Sequence, residues 1–340
     1  MGSKPLMHDM HITHHGRSEA VNRALSDFGS EESFGQAAKR FTEHYKYTLH
    51  TSTVSRVTKQ TAEEAVDYVE QKLSQAGDSK SDEDVAHLLV EVDGCEIRTA
   101  VLAPLENSQE KTPIRQAPKK QKIMNWREVR IGLARPLDSI SKTYVGKKDS
   151  YPEVVNDLFQ AAVLQGMSPT TQVIGVGDGG IGLKEELERQ FPTMQFILDK
   201  PHLKDHLYDT AEELGLSKQE RAKWVKPRLE AICHGNVETV KKELEEEYSK
   251  HPHNCVKRLL GYITRFYDAL DYKSFTAQGY PIGSGEVESA HKTIPQKRLK
   301  LPGACWHPDS INPMVALRIL RANDWWDNFW KERVEKKLAA

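Results

Sequence analysis

The chain has no apolar run approaching the ~18 residues that a bilayer-spanning helix needs, so it is expected to be soluble, with no membrane partner. Met1 to Gly16 lacks an apolar core and does not read as a secretory signal, which makes a cytoplasmic, nucleoid-associated location the expectation. Cysteine is scarce: Cys95, Cys233, Cys255 and Cys305 are too few and too scattered for a disulfide framework and are expected as reduced thiols. Net charge is nearly absent too, at −1, which argues against a chain that coats nucleic acid everywhere and still allows a local basic groove. What is there, 340 residues of which 38% are hydrophobic and 29% charged, suffices for a large core and a smaller accessory region.

Thr170 to Leu207 carries the densest pattern. Thr171 to Gly177 is a short, apolar, β-branched run, as a buried strand would be. It ends in Asp178-Gly179-Gly180, where glycine permits a positive-φ turn. Apolar residues then recur at helical spacing (Ile181, Leu183, Leu187, Phe191). A second strand, Met194 to Leu198, closes on Asp199 ahead of Pro201, a proline suited to the first turn of a helix. Neighbouring parallel strands that each end in a carboxylate build the crevice in which open α/β sheets do chemistry. Gly175-Val-Gly177-Asp178-Gly179-Gly180 also matches the dinucleotide-binding fingerprint, with Asp199 about 20 residues beyond, so an NAD-dependent enzyme is the rival reading. Asp178 inside that turn would oppose a pyrophosphate, whereas a divalent cation takes carboxylate oxygens, and the metal reading is preferred.

The flanks extend this picture. His8, His11, His14 and His15 have no regular ligand partner and read as an exposed polar arm. Ser33 to Tyr45 places Phe34, Ala37, Ala38, Phe41 and Tyr45 on one helical face, and Ser52 can cap a second helix with Arg56 and Lys59 outward. That is the outline of a helix-turn-helix, or equally of a plain helical hairpin. Thr61-Ala-Glu-Glu64 has the form of a capping box and predicts a further helix to about Ala76. The polar stretch from Gly77 to Asp84 is the expected boundary between an N-terminal helical region, 1–80, and a catalytic domain, 81–340. Beyond it, Ala86 to Val92 and Cys95 to Val101 read as a strand pair around an Asp93-Gly94 hairpin turn. Pro104 to Lys122 reads as a flexible loop and Trp126 to Ala134 as a third, antiparallel strand.

Tyr151 to Gln165 is an amphipathic helix that crosses to the strand at Thr171. Three meandering strands, a helix, then parallel strands ending in Asp178 and Asp199 follow the ribonuclease-H-like order. This is an α/β fold with a mixed sheet in which acids from the first and fourth strands meet. A doubly wound dinucleotide fold would begin with alternating strands and helices instead. A helical block over about 208–275 reads as an insertion. Within it Cys233-His234 and His251-Pro-His253-Asn-Cys255 have ligating side chains at spacings that fit no standard zinc finger. Tyr280 to Ala290 is a proline and glycine turn that releases a helix with Glu286 and Glu288 in its first turn. Lys292, Lys297, Arg298, Lys300 and Trp306 follow, a basic and aromatic run suited to a phosphate backbone and stacked bases.

Taken in order, these motifs resemble a known family. Asp93-Gly94, Gly177-Asp178-Gly179, Asp199-x-x-His202-Leu203-x-x-His206-Leu207, Pro281-Ile-Gly-Ser-Gly-x-Val-Glu288-Ser289-Ala290, Arg298-Leu299-Lys300, Gly303-x-x-Trp306 and Leu317-Arg318 to Trp330 look like the DDE transposases of bacterial insertion sequences, in the ISKra-four family. The resemblance runs from about Gly16 to Trp330. It implies a catalytic, metal-holding triad of Asp93, Asp178 and Glu288, with Asp199, His202 and His206 supporting it. It further implies two Mg²⁺ or Mn²⁺ ions, terminal inverted repeats and target DNA as partners, and a homo-oligomer in the synaptic complex. One departure is that the family has an aromatic residue a few positions after the second Asp-Gly, where this chain has Gly182 and Leu183.

Overall fold

The computed structural model describes residues 17–79, 85–104 and 120–339, so the N-terminal histidines, most of the expected loop after Pro104 and much of the expected domain boundary lie outside the described residues. Five strands form one mixed sheet in the order β3-β2-β1-β4-β5. They are β1 (His87–Pro104), β2 (Lys120–Pro136), β3 (Thr143–Lys147), β4 (Gln172–Gly177) and β5 (Gln195–Leu198). β1, β2 and β3 are antiparallel neighbours, while β4 runs parallel to β1 and β5 parallel to β4. Leu88, Leu89, Val90 and Val92 are all fully buried, because the inner part of β1 is covered on both faces. Helix α4 (Tyr151–Leu164) supplies one cover through Val154, Val155, Leu158, Ala161 and Ala162.

The sheet departs from the expected one at its first strand. Asp93-Gly94 is not a turn: β1 runs through it, with Asp93 opposite Ile131 and Gly94 opposite Arg130. A Cβ on Gly94 would stand 2.3 Å from Glu128 Oε1, so the glycine serves cross-strand packing. The two expected strands are therefore one, Trp126 to Ala134 lies within its partner β2, and the third strand of the meander is Thr143–Lys147.

Ahead of the sheet stand α1 (Glu19–Glu31), α2 (Phe34–Tyr45) and α3 (Thr51–Ser74). α3 is one helix of 24 residues capped by His50 rather than by Ser52, and Thr61 does not open a new helix. Thr61 is buried in mid-helix, where its hydroxyl takes a hydrogen bond of 2.9 Å from Ser26. Val54 and Val57 of α3 pack with Leu25, Ala37 and Phe41 in a small core, while Ala62 to Leu73 join the main one. One helix thus belongs to both.

After β4 come α5 (Leu183–Gln190) and β5, then the helical block: α6 (Lys200–Glu213), α7 (Lys218–Cys233), α8 (Val237–Lys250), α9 (Asn254–Arg265) and α10 (Tyr272–Ala277). Helix α11 (Gly285–His291) continues through a π turn, Lys292–Gln296, into Lys297–Leu299. The chain closes with α12 (Ile311–Ala322) and α13 (Trp326–Ala339). Among the described residues no helix is long and apolar enough to cross a membrane.

Candidate active site

β1 and β4 pair in parallel with Glu91 opposite Val176. The pairing ends there, and Asp93 and Asp178 each follow two residues beyond it. Each tip is fixed by its own backbone: Asp93 Oδ1 accepts the Gly94 N–H at 2.7 Å and Asp178 Oδ1 that of Gly180 at 2.8 Å. The helical block reaches back to hold β4 as well, since the Tyr262 hydroxyl of α9 donates to the Asp178 carbonyl at 2.9 Å. Gly179 takes a φ of 77°, and a Cβ there would lie 2.9 Å from both Leu198 and Phe266.

The third acid arrives on α11, whose start is held at two points. Ser284 N–H donates to Asp199 Oδ1 at 2.6 Å, and Val287 N–H donates to Glu91 Oε2 at 2.8 Å. Of the two acids in the first turn, Glu286 is occupied by Arg135 at 2.6 Å and Lys142 at 2.7 Å. Glu288 is in no ion pair among the described residues, and its charge acts on Asp93. Asp199, His202 and His206, the residues expected to support the site, lie beside it. Asp199, fully buried, caps α6 through the His202 N–H and binds His202 Nδ1 at 2.5 Å. The His206 ring lies 4.2 Å from that of Tyr262, the residue that pins Asp178.

The charges act on one another. Burial pushes the Asp93 carboxyl up, and Asp178 and Glu288 both add to this, against the Gly94 N–H and His202. The hydrogen bond to Asp199 lifts His202 to about 9, with Asp178 and Asp93 contributing, so its ring is cationic at neutral pH. Although burial opposes it, Asp199 is held below the usual carboxylate range by the donors of His202 and Ser284. Two further groups escaped the sequence reading. Glu91, on the same face of β1 as Asp93, is pushed by burial up to about 8. His291, one turn past Glu288, has Nε2 3.4 Å from Asp93 Oδ2 and neither ring nitrogen hydrogen-bonded among the described residues. Burial lowers it to about 4, which keeps it neutral. Glu91 sits at every second residue from Asp93, a spacing that could have drawn notice; His291 gave no signal.

As their side chains stand, no three His, Cys, Asp or Glu residues among the described residues gather closely enough to hold a metal ion. The donor chemistry of Asp93, Asp178 and Glu288 nonetheless fits a hard divalent cation. They are carboxylates, and the charges of Asp178 and Glu288 raise the proton affinity of Asp93, a repulsion that a cation would relieve. The zinc-type residues Cys233, His234, His251, His253 and Cys255 form no such group either. In the glycine run, Gly175, Gly177 and Gly179 are buried, and Met194, Leu183 and Phe266 occupy the space beside them.

The expected DNA-binding side chains divide. Arg56, Lys292, Lys297 and Lys300 are exposed and Lys59 is half-buried. Lys297 pairs with Glu31. Lys300 stays close enough to the site for its charge to act on His291. Arg298 and Trp306 are corrected, for both are buried, at 3% and 7% exposure. The Arg298 guanidinium is stacked 4.6 Å from the rings of Phe34 and Trp306 and donates to the Gly29 carbonyl at 2.8 Å. With Arg318, which donates to Ser30 and Thr293 carbonyls, it clamps the end of α1 to the α11 region.

No protein-family model matches the chain, and no curated protein matches it in sequence. One solved structure to which it is similar is the Drosophila P element transposase strand transfer complex, at 11% identity and a TM-score of 0.33, covering 94% of this chain and 83% of that chain. A likeness at that score does not define a shared fold.

Proposed function

We propose that the chain is a DDE-type transposase, with a ribonuclease-H-like core, that cleaves DNA strands at insertion-sequence ends and transfers them to target DNA. The observation that supports this reading is the parallel pairing of β1 with β4, which ends two residues short of Asp93 and Asp178, together with the charge of Glu288, on a helix tied to β1, acting on Asp93. The sheet order and the sequence resemblance support it, and the resemblance narrows it to the ISKra-four family. Water attacks the phosphodiester at the element end and frees a 3′-hydroxyl, which then attacks the target at the same site. Asp93, Asp178 and Glu288 would hold two Mg²⁺ or Mn²⁺ ions, which when bound activate the attacking oxygen and stabilise the leaving one. Within the chain, the cationic His202 offsets the charge of the strand tips. Glu91 and Asp199 fix the start of α11. The partners of this reading are terminal inverted repeats, target DNA and further copies of the chain in a synaptic complex; helices α2 and α3 would serve as a helix-turn-helix with Arg56 and Lys59 outward.

The test is Asp178→Asn, which keeps shape and removes charge. Metal-dependent nicking of DNA carrying the terminal repeats should fall by about 10³-fold or more, some 4 kcal/mol of barrier, with DNA binding retained. Unchanged nicking would end the mechanism. A parent chain that binds the repeats without any metal-dependent product would instead be a DNA-binding remnant, and saturable nicotinamide-cofactor binding would revive the rival.

A further inference from the structure

β1 and β2 outlast the sheet that holds them. β4 accompanies β1 only to Glu91 and β3 accompanies β2 only to Arg130, yet β1 and β2 stay paired out to Pro104 and Lys120. Beyond Asp93 the two form a ribbon, steadied on one edge by the Trp306 segment at Thr99 and Ala100. At ~3.4 Å per residue, Gly94 to Pro104 extends roughly 37 Å.

Its outer part has little core on either face. Lys120 to Arg127 are all exposed, and Leu102 and Trp126 reach 68% and 59% exposure. Arg98 stands opposite Trp126 and Leu102 opposite Lys122. From Ile97 outward and back to Arg127, the described ribbon carries Arg98, Lys120, Lys122 and Arg127 and no acid. Lysines along a free edge would by themselves only discourage pairing with another sheet. They do not account for an exposed indole beside Arg98. Nor do they explain why an isolated two-stranded ribbon, marginal in water, is kept so long. Exposed apolar side chains rimmed by charge mark a contact surface.

We infer that this ribbon is a docking surface for duplex DNA, with the four cations on phosphates and Trp126 packed against sugar or base. Outward of the Glu96–Glu128 pair the described strip is cationic and carries an aromatic side chain, which complements a polyanion, while a second copy of the same strip would set like charges together. The inference rests on the DNA-cleavage reading for its purpose, which is to deliver substrate to Asp93 at the ribbon's root.

The test uses the full chain and a fluorescein-labelled duplex of arbitrary sequence, with anisotropy followed between about 50 and 200 mM salt. Lys120→Ala/Lys122→Ala/Arg127→Ala should weaken binding by about 10-fold or more and flatten log K against log[salt] by ~0.9 per lost phosphate contact. Trp126→Phe should diminish the DNA-induced quenching of tryptophan fluorescence. All four side chains are exposed, so the thermal midpoint should match the parent's. Unchanged affinity and slope in the triple variant overturn the inference, as does a parent without salt-dependent DNA binding. Unchanged DNA binding with dimer dissociation in sedimentation also overturns it, by making the ribbon a contact between copies. A parent that binds through the ribbon yet never nicks with Mg²⁺ or Mn²⁺ sinks the catalytic reading and leaves the docking surface standing.

Discussion

The inner and outer halves of β1 share one strand, one partner and one hydrogen-bond ladder, yet they sit in different surroundings. Inside, Leu88 to Val92 are sealed between β2 and β4 with helices on both faces; outside, Val101 and Leu102 lie in solvent. The same backbone therefore serves two ends. Where the flanks are closed, burial raises the cost of charge and makes Glu91 and Asp93 sensitive to their neighbours. Where the flanks are open, charge is cheap and shapes only what the surface attracts.

Side-chain truncation should separate the halves most widely. Leu89→Ala, in a fully buried position, should cost about 2–5 kcal/mol of stability in denaturant unfolding, whereas Leu102→Ala should stay within about 0.5 kcal/mol. Similar losses at both positions would mean that the ribbon has a core of its own. A smaller effect is expected at the junction. Glu91→Ala leaves the Val287 N–H without its acceptor, at about 1–3 kcal/mol, and loosens the helix that carries Glu288. Nicking should fall while ribbon-dependent DNA affinity holds, and Glu91→Gln, which still offers an acceptor oxygen, should restore most of it; equal defects in both variants would deny the tether.

The smallest effect is electrostatic and confined to the root. His202 is raised from 6.5 to about 9 on folding, so its stabilisation is complete below about pH 6.5 and is lost as pH rises through 9. The thermal midpoint should decline across that window, and His202→Gln should flatten the decline. A midpoint that climbs there, or a variant with the parent's slope, would contradict the pairing with Asp199.

Much of the root was legible in the sequence, because its periods and turn residues agree with the fold. The run before Asp178, the glycines after it and the helix at Pro201 all lie where spacing put them, within a residue or two. Asp93-Gly94 misled because the same dipeptide serves turns and close cross-strand packing, and only Glu128 on the partner strand tells them apart. Thr61 misled because a capping pattern is also good helix interior when a neighbouring helix offers Ser26. Arg298 and Trp306 were read as surface because composition cannot show that Phe34, far off in the chain, completes their stack. β3 was too short to carry an alternation of its own.

The helical excursion between β5 and α11 leaves and rejoins the sheet at a single throat. Asp199 N–H reaches the Gly177 carbonyl, Lys200 N–H reaches the Ile282 carbonyl, and Ser284 closes on Asp199. A loop pinched shut at its base passes little of its own length on to its ends. Chain added or trimmed at the far turns, at Gly235–Asn236 or at His251–His253, should leave the distance from Glu288 to Asp93 as it is. The protein can therefore change size between Asp178 and Glu288 without moving either of them.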